Sequence, residues 1–280
     1  MRLPSLRVRK DMLSDVASGG KEEMFPNARI APLLGEILKD LPTSSMDVRE
    51  VRVGPYLTSV LLSGYRRVGS DLVRRCGLAS SMAPHRPGDD HRVRSVGRLK
   101  DLRTKELAEL LFSDKPVEAA IGMATLNAIL DAPAYCFRGP SAFDLMVERG
   151  RGKRVAVVGH FPFVERLRRE TAELHVIELR PDERELPFSL AEDVLPRCDV
   201  IALTATTLMN GTHKLVLPLC ADAFTIMLGP STPASQVLFA HNVDALAGTL
   251  VARPDDTLRE ISQGATYRDL RGVRKWTWLG

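Results

Sequence analysis

Aromatic side chains make up only 5% of this chain, cysteine occurs four times, and no apolar run approaches the length of a membrane span. A helix needs roughly 20 consecutive apolar residues to cross a bilayer, so no membrane span is expected. Residues 1–20 carry scattered charges and no apolar core, so no secretory signal is expected there. Cys76, Cys136, Cys198 and Cys220 are widely spaced, and none forms the Cys-x-x-Cys pair of a zinc or redox site. Free, mostly buried thiols in a reducing cytoplasm are the expectation. The chain also lacks the three-glycine phosphate loop of dinucleotide-binding folds, so NAD is not favoured as a cofactor.

Charge of either sign is modest overall, with a net value of +4, but it is unevenly placed. Between Arg66 and Lys105 there are 11 Lys and Arg against 4 Asp and Glu. Such an excess can serve an anionic ligand or nucleic acid, or form a solvated face or an oligomer contact. Tyr65, beside the segment, is its one aromatic, so base stacking has little material and nucleic acid is not the expected partner.

What is present is a globular composition, 44% hydrophobic and 26% charged, over 280 residues, enough for one large domain or two ordinary ones. The second half alternates strand and helix. Strands are predicted at Val155–Val158, His175–Leu179, Val200–Leu203, Phe224–Leu228 and Ala247–Val251. Helical stretches fall between them at Val164–Thr171, Ser189–Leu195, Thr212–Leu219 and Pro233–Ala240. That alternation predicts a parallel sheet with right-handed crossovers, taken in the default order 3-2-1-4-5. The first half reads as α+β. A helix is predicted near Ala28–Leu41, a hairpin through Val48–Val53 and Tyr56–Ser63, and a third strand at Leu72–Leu78. Helices follow at Thr104–Leu111 and after Asp114, where Gly122 suggests close packing. The charged, glycine-broken stretch Glu148–Lys153 is the expected boundary. The expected organisation is a polar stretch over residues 1–24 without fixed structure, an α+β unit over 25–147 and an α/β unit over 153–280.

Ligands in open parallel sheets bind beyond the carboxyl ends of the strands, where the strand order reverses. Order 3-2-1-4-5 would bring the loop Gly159-His160-Phe161-Pro162 beside the loop Gly229-Pro230-Ser231-Thr232-Pro233. His160 is then a candidate ligand, metal contact or acid–base group, or a histidine that closes the turn. Ser231 reads as a helix N-cap whose free amides could meet an anion, with Thr232 beside it. Thr204–Thr212 gathers hydroxyls, including Thr206, before the Asn210-Gly211 turn; ligand contact and plain capping are both open. Glu178 lies about 20 residues beyond Gly159, where nucleotide folds place a ribose-binding acid, or it pairs with Arg180. Asn127, the polar residue of an otherwise apolar helix, needs a hydrogen-bond partner from structure or ligand. His160, His175, His213 and His241 form no His-x-x-x-His or His-x-His pair, so no preformed metal cage is legible. Trp276 and Trp278 read as a packing plug in the tail.

Gly159-His160-Phe161-Pro162, the run Thr204–Thr212 and the run Leu228–Pro233 occur in this order after Ala119–Asn127. In this ordered set the chain resembles the family called "putative heavy-metal chelation" proteins, a family without assigned function, over roughly residues 25–279. The resemblance implies an enolase-N-terminal-like domain joined to a Rossmann-like domain, with a pocket where they meet. It carries His160, Thr206, Asn210, Ser231, Thr232 and Asn127 into that pocket, and implies a metal ion or metal chelate as ligand. The expected function is binding of a heavy-metal chelate or small anionic molecule, with a homo-oligomer left open. The alternative is an enzyme acting on a nucleotide-like or adenosyl substrate. Whether the protein has turnover at all stays open at this point.

Overall fold

The structure is a computed structural model and describes residues 32–41, 46–82 and 92–280. The polar stretch 1–24, Ile30 of the first predicted helix and residues 83–91 of the basic segment lie outside the described residues.

The described chain opens with α1 (Pro32–Lys39), whose Leu33, Leu34 and Ile37 are buried. An antiparallel sheet follows, built from β1 (Val48–Val53), β2 (Leu57–Val68) and β3 (Asp71–Ser80) in the order β1-β2-β3. The short α2 (Thr104–Ala108) leads to α3 (Pro116–Ile129), which starts on proline as helices often do. From Glu118 to Ile129 every residue of α3 is buried. Small residues make that possible. A Cβ at Gly122 would lie 2.0 Å from the Leu111 amide nitrogen, and one at Gly77 would lie 1.9 Å from the Ala124 carbonyl oxygen. Glycine at both places lets the helix backbone rest directly on its neighbours.

Two arginines of the basic segment are spent on this packing. The carbonyls that end α3 need partners once buried. Arg66, itself buried, donates to the carbonyls of Asn127, Ala128 and Leu130. Arg75 donates to Ile129 O at 2.7 Å and pairs with Asp131 at 2.5 Å. Burial lowers the Arg66 pKa to about 10. Arg74 pairs with Asp255 and Arg103 with Glu106. Arg94 binds the fully buried Glu118 through its backbone amide, Nε and Nη2.

The rest of the chain builds a seven-stranded sheet. Its elements are α4 (Ala142–Gly150), β4 (Arg154–Val158), α5 (Val164–Leu167), β5 (Glu173–Glu178), β6 (Leu186–Pro187), α6 (Ala191–Val194) and β7 (Val200–Thr204). Then come α7 (Thr206–Asn210), α8 (His213–Val216), β8 (Phe224–Leu228), β9 (Ala245–Val251), α9 (Pro254–Ser262) and β10 (Val273–Leu279). The sheet order is β10-β9-β8-β7-β4-β5-β6, parallel throughout except for the antiparallel edge strand β10. Strand apolarity follows from burial on both faces. Val155 and Val157 join a cluster with Leu145 and Met146, while Ala156 and Val158 join a larger one on the opposite face. That larger cluster runs from Ile37, Leu62 and Met123 to Ile201, Leu246 and Trp276, so both sheets share it. No helix of the described residues is long and apolar enough to cross a membrane.

Two expectations are corrected. The five predicted parallel strands stand in the order 2-1-3-4-5, not 3-2-1-4-5, because β7 adds beside β4 on the side away from β5. No α-helix begins at Ser231. The chain stays irregular to Ser235 and forms a 3-10 helix at Gln236–His241, so Ser231 caps nothing. The tail is also a strand: Trp276 pairs with Gly248, where a Cβ would lie 2.2 Å from the indole, so the plug is built into β10.

Candidate functional site

Strand order decides where the cleft lies. With order 2-1-3-4-5 the reversal falls between β4 and β7, so the loops after those strands part and leave a crevice. The loop after β8 borders the same space. A cleft of about 680 Å³ opens here. Its walls are Gly159, His160, Phe161 and Pro162 from the first loop, Thr204, Thr206, Thr207, Asn210 and Thr212 from the second, and Gly229 and Pro230 from the third. Tyr56, Leu57 and Ser80 of the antiparallel sheet close one side, and Thr266, Tyr267 and Arg268 of the α9–β10 connection another.

Two turns give the cleft its shape. Gly159 and Gly229 hold φ of +111° and +117°, a region that side chains disfavour. A Cβ at Gly159 would meet the Thr204 side chain at 2.8 Å, whereas at Gly229 nothing lies within 4 Å. Phe161 stacks on Phe163 at 5.1 Å, so the first loop offers ring faces where a nucleotide fold offers bare backbone.

The second loop is an internally bonded knot of hydroxyls. Thr204 Oγ1 lies 3.0 Å from Thr206 Oγ1, and Thr207 Oγ1 donates to Thr204 O at 2.7 Å. Asn210 Oδ1 accepts from the Thr212 amide at 3.0 Å and from its hydroxyl at 2.7 Å. Behind the loop, buried His213 directs Nδ1 at Thr207 O, 2.9 Å away. A carbonyl can only accept, so Nδ1 carries the proton. Nε2 is buried without a partner among the described residues. Burial lowers the His213 pKa to about 4, so the ring is neutral at physiological pH.

The structure brings His160, Glu178, Thr206 and Asn210 together on the cleft wall. Asn127, Ser231 and Thr232 lie off that wall. Asn127 Nδ2 donates to Leu78 O at 2.8 Å and to Pro230 O at 3.3 Å. Ser231 Oγ accepts the Ser80 amide at 2.9 Å. Both tie the third loop to the antiparallel sheet. Thr232 is buried, and its hydroxyl has no partner among the described residues. Glu178 accepts the Leu179 amide at 3.0 Å. Burial, helped by the charge of Glu185, holds its carboxyl above the ordinary range, against the pull of the Leu179 and His160 amides.

Sequence reasoning missed two cleft features. Glu185 Oε1 sits 2.9 Å from His160 Nδ1. Its loop, Arg180–Glu185, is crowded with charge, and nothing local singles out one of its acids. Arg268 is an exposed cation on the cleft wall with no carboxylate partner among the described residues. Its signal was weak too, a lone arginine in a loop.

The donor set can be tested against a metal. Among the described residues no three His, Cys, Asp or Glu side chains converge as ligands. Soft thiolates are not on offer either: all four cysteines are free and buried. Burial raises Cys76 and Cys198 to about 11 and Cys220 to about 12, so these thiols stay protonated. A bare heavy-metal ion therefore does not fit this site.

Two family models match the chain, both described as "Putative heavy-metal chelation": DUF4213 over residues 36–130 and DUF364 over residues 141–278. An uncharacterized protein of Methanocaldococcus jannaschii is 27% identical over 197 residues, covering 65% of this chain and 75% of its own. Among solved structures, a DUF364-family protein of unknown function from Desulfitobacterium hafniense DCB-2 is 25% identical, with a TM-score of 0.73. The match covers 89% of this chain and 97% of that one. Another from Pyrococcus horikoshii, 17% identical with a TM-score of 0.67, covers 89% and 98% and shares the fold.

Proposed function

Because the chain belongs to the family whose two models are described as "Putative heavy-metal chelation", we propose that its cleft binds a small metal chelate or a related anionic molecule. The observation that carries this reading is the cleft itself. It is large enough for a small organic molecule, lies at the strand-order reversal, and presents an imidazole, a half-buried carboxyl, several hydroxyls and a free guanidinium. With no converging ligand set for a bare ion among the described residues, the metal belongs to the ligand and not to the protein. His160 is the side chain best suited to meet it, and Arg268 to meet an anionic arm of the chelator. NAD is not favoured, since Phe161 and Pro162 occupy the turn that would cradle its pyrophosphate. A second reading, a nucleotide-like or adenosyl ligand, rests on Glu178, which stands on the cleft wall at the end of β5.

A thermal-shift panel of metal chelates, free chelators, carboxylates, phosphates and nucleotides tests this. A ligand at 100 times its Kd stabilises by about 2.7 kcal/mol, which is roughly 5–10 °C for a chain of this size. A chelate is expected to give such a shift, and His160→Gln to weaken its binding by roughly 1.5–3 kcal/mol, the scale of a hydrogen bond to a charged group. A panel that moves no transition would remove the reading. A nucleotide shift abolished by Glu178→Ala would replace it with the second.

A further inference from the structure

Glu185 and His160 are unequal partners. The Glu185 side chain is only 9% exposed, while that of His160 is 72% exposed and lies on the cleft wall. The carboxylate is also held without the histidine's help. Residues 182–185 form a turn in which the Glu185 amide donates to Asp182 O at 3.2 Å and the Arg184 amide to Asp182 Oδ1 at 2.8 Å. The Asp182 amide in turn donates to Glu185 Oε2 at 3.1 Å. That leaves Oε1 aimed at the ring. The turn is therefore a preformed bracket, and the ring is what it supports.

A carboxylate only accepts, so His160 Nδ1 must be the donor across the 2.9 Å contact. In a neutral ring this puts the lone pair on Nε2, at the far edge of the imidazole. Unsupported, an exposed histidine on a glycine-led loop would distribute itself over rotamers and both tautomers, and a ligand would bear the cost of ordering it. A carboxylate behind a histidine that binds through its other nitrogen is a general device for fixing the ring and raising its basicity.

We propose that Glu185 is a positioning residue, which fixes His160 with its proton on Nδ1 and presents the Nε2 lone pair to the cleft. This rests on the chelate reading and sharpens it. A lone pair suits an electron-pair acceptor, such as a chelated metal with an open coordination position, and does not suit a bare anion. The protein then contributes one nitrogen to a coordination shell that the chelator otherwise fills.

Two measurements test the proposal, both on untagged full-length protein at pH 8. In long-range 1H–15N spectra of histidine-labelled protein, with His160 assigned by its loss in His160→Gln, the ring should show a protonated Nδ1 and a bare Nε2. Glu185→Ala should move it towards a mixture of tautomers. In calorimetric titration with Ni2+–nitrilotriacetate, a chelate with open positions, His160→Gln should lose the site. There Glu185→Ala should weaken it by about tenfold. A native His160 that already shows the tautomer mixture of Glu185→Ala would overturn the role of Glu185, whatever binds in the cleft. A native tautomer as expected, with the nickel chelate bound equally by native protein and His160→Gln, would overturn the chelate reading and the Nε2 contact with it.

Discussion

His213 supplies the sharpest quantitative test of how the cleft is supported. The ring is 2% exposed, donates to Thr207 O, and has a pKa lowered by burial to about 4 from 6.5. The unfolded chain therefore takes up a proton as pH falls through 6.5, and the folded chain takes it up only near 4. Stability from this group is fully present above 6.5 and is lost as pH falls from 6.5 towards 4. Each pKa unit corresponds to 1.36 kcal/mol, so the full loss is about 3 kcal/mol, and the part lost between pH 7.5 and 5.0 is about 2 kcal/mol. Other groups titrate in the same range, so the native curve alone decides nothing. His213→Asn removes the titration yet keeps an N–H near the position of Nδ1. Urea unfolding of both proteins at pH 7.5 and 5.0 gives four free energies. The native protein should lose about 2 kcal/mol more than the variant across that interval, even though the variant starts lower because of the volume removed. PH dependences that run parallel to within about 0.5 kcal/mol would show that His213 is not held neutral by burial.

Two stability comparisons follow from the backbone. Gly159→Ala meets both a positive φ and the Thr204 side chain, and should cost roughly 2–5 kcal/mol in urea unfolding, while Gly229→Ala meets the strained φ alone and should cost roughly 1–3 kcal/mol. Equal losses would mean that the Thr204 contact yields freely. Arg66→Met should cost roughly 2–4 kcal/mol, because it strips the buried carbonyls at the end of α3 of their donor. Arg98→Met, on an exposed side chain of the same basic segment, should stay within about 0.5 kcal/mol. Similar values for the two arginines would show that the carbonyls at the end of α3 do not depend on Arg66.

The parallel strands were legible because burial on both faces leaves an unbroken apolar run, as at Val155–Val158 and Val200–Leu203. Their order was not. Orders 3-2-1-4-5 and 2-1-3-4-5 use the same right-handed crossovers, and the choice depends on which edge of β4 receives β7, a contact no local pattern encodes. That one error made the Ser231 loop the expected partner of the His160 loop, where the observed order puts the Thr204 loop. The glycine before His160 and the hydroxyl cluster at Thr204–Thr212 were readable as special, since both break the strand pattern with unusual residues. Ser231 looked like a cap because its local sequence fits one, yet its hydroxyl bonds to Ser80, 151 positions away. Glu185 was hidden for the opposite reason, as one acid among several in an exposed-looking turn. Gly122 was recognised for close packing, and the steric geometry at Leu111 agrees.

The bonds from the Ser80 amide to Ser231 and from Asn127 to Pro230 have a consequence for how such proteins can diverge. They make the loop after β8 the joint product of stretches of chain 151 and 103 positions apart. Recombination that exchanged one stretch for a distant relative's counterpart would deliver two intact sheets and a misfitted seam between them. Because the two sheets share one apolar cluster, the damage would register in folding as well as in the shape of the cleft. The shape of this loop is therefore expected to be inherited along the whole chain, with residues near 80 and 127 drifting in step with those near 230.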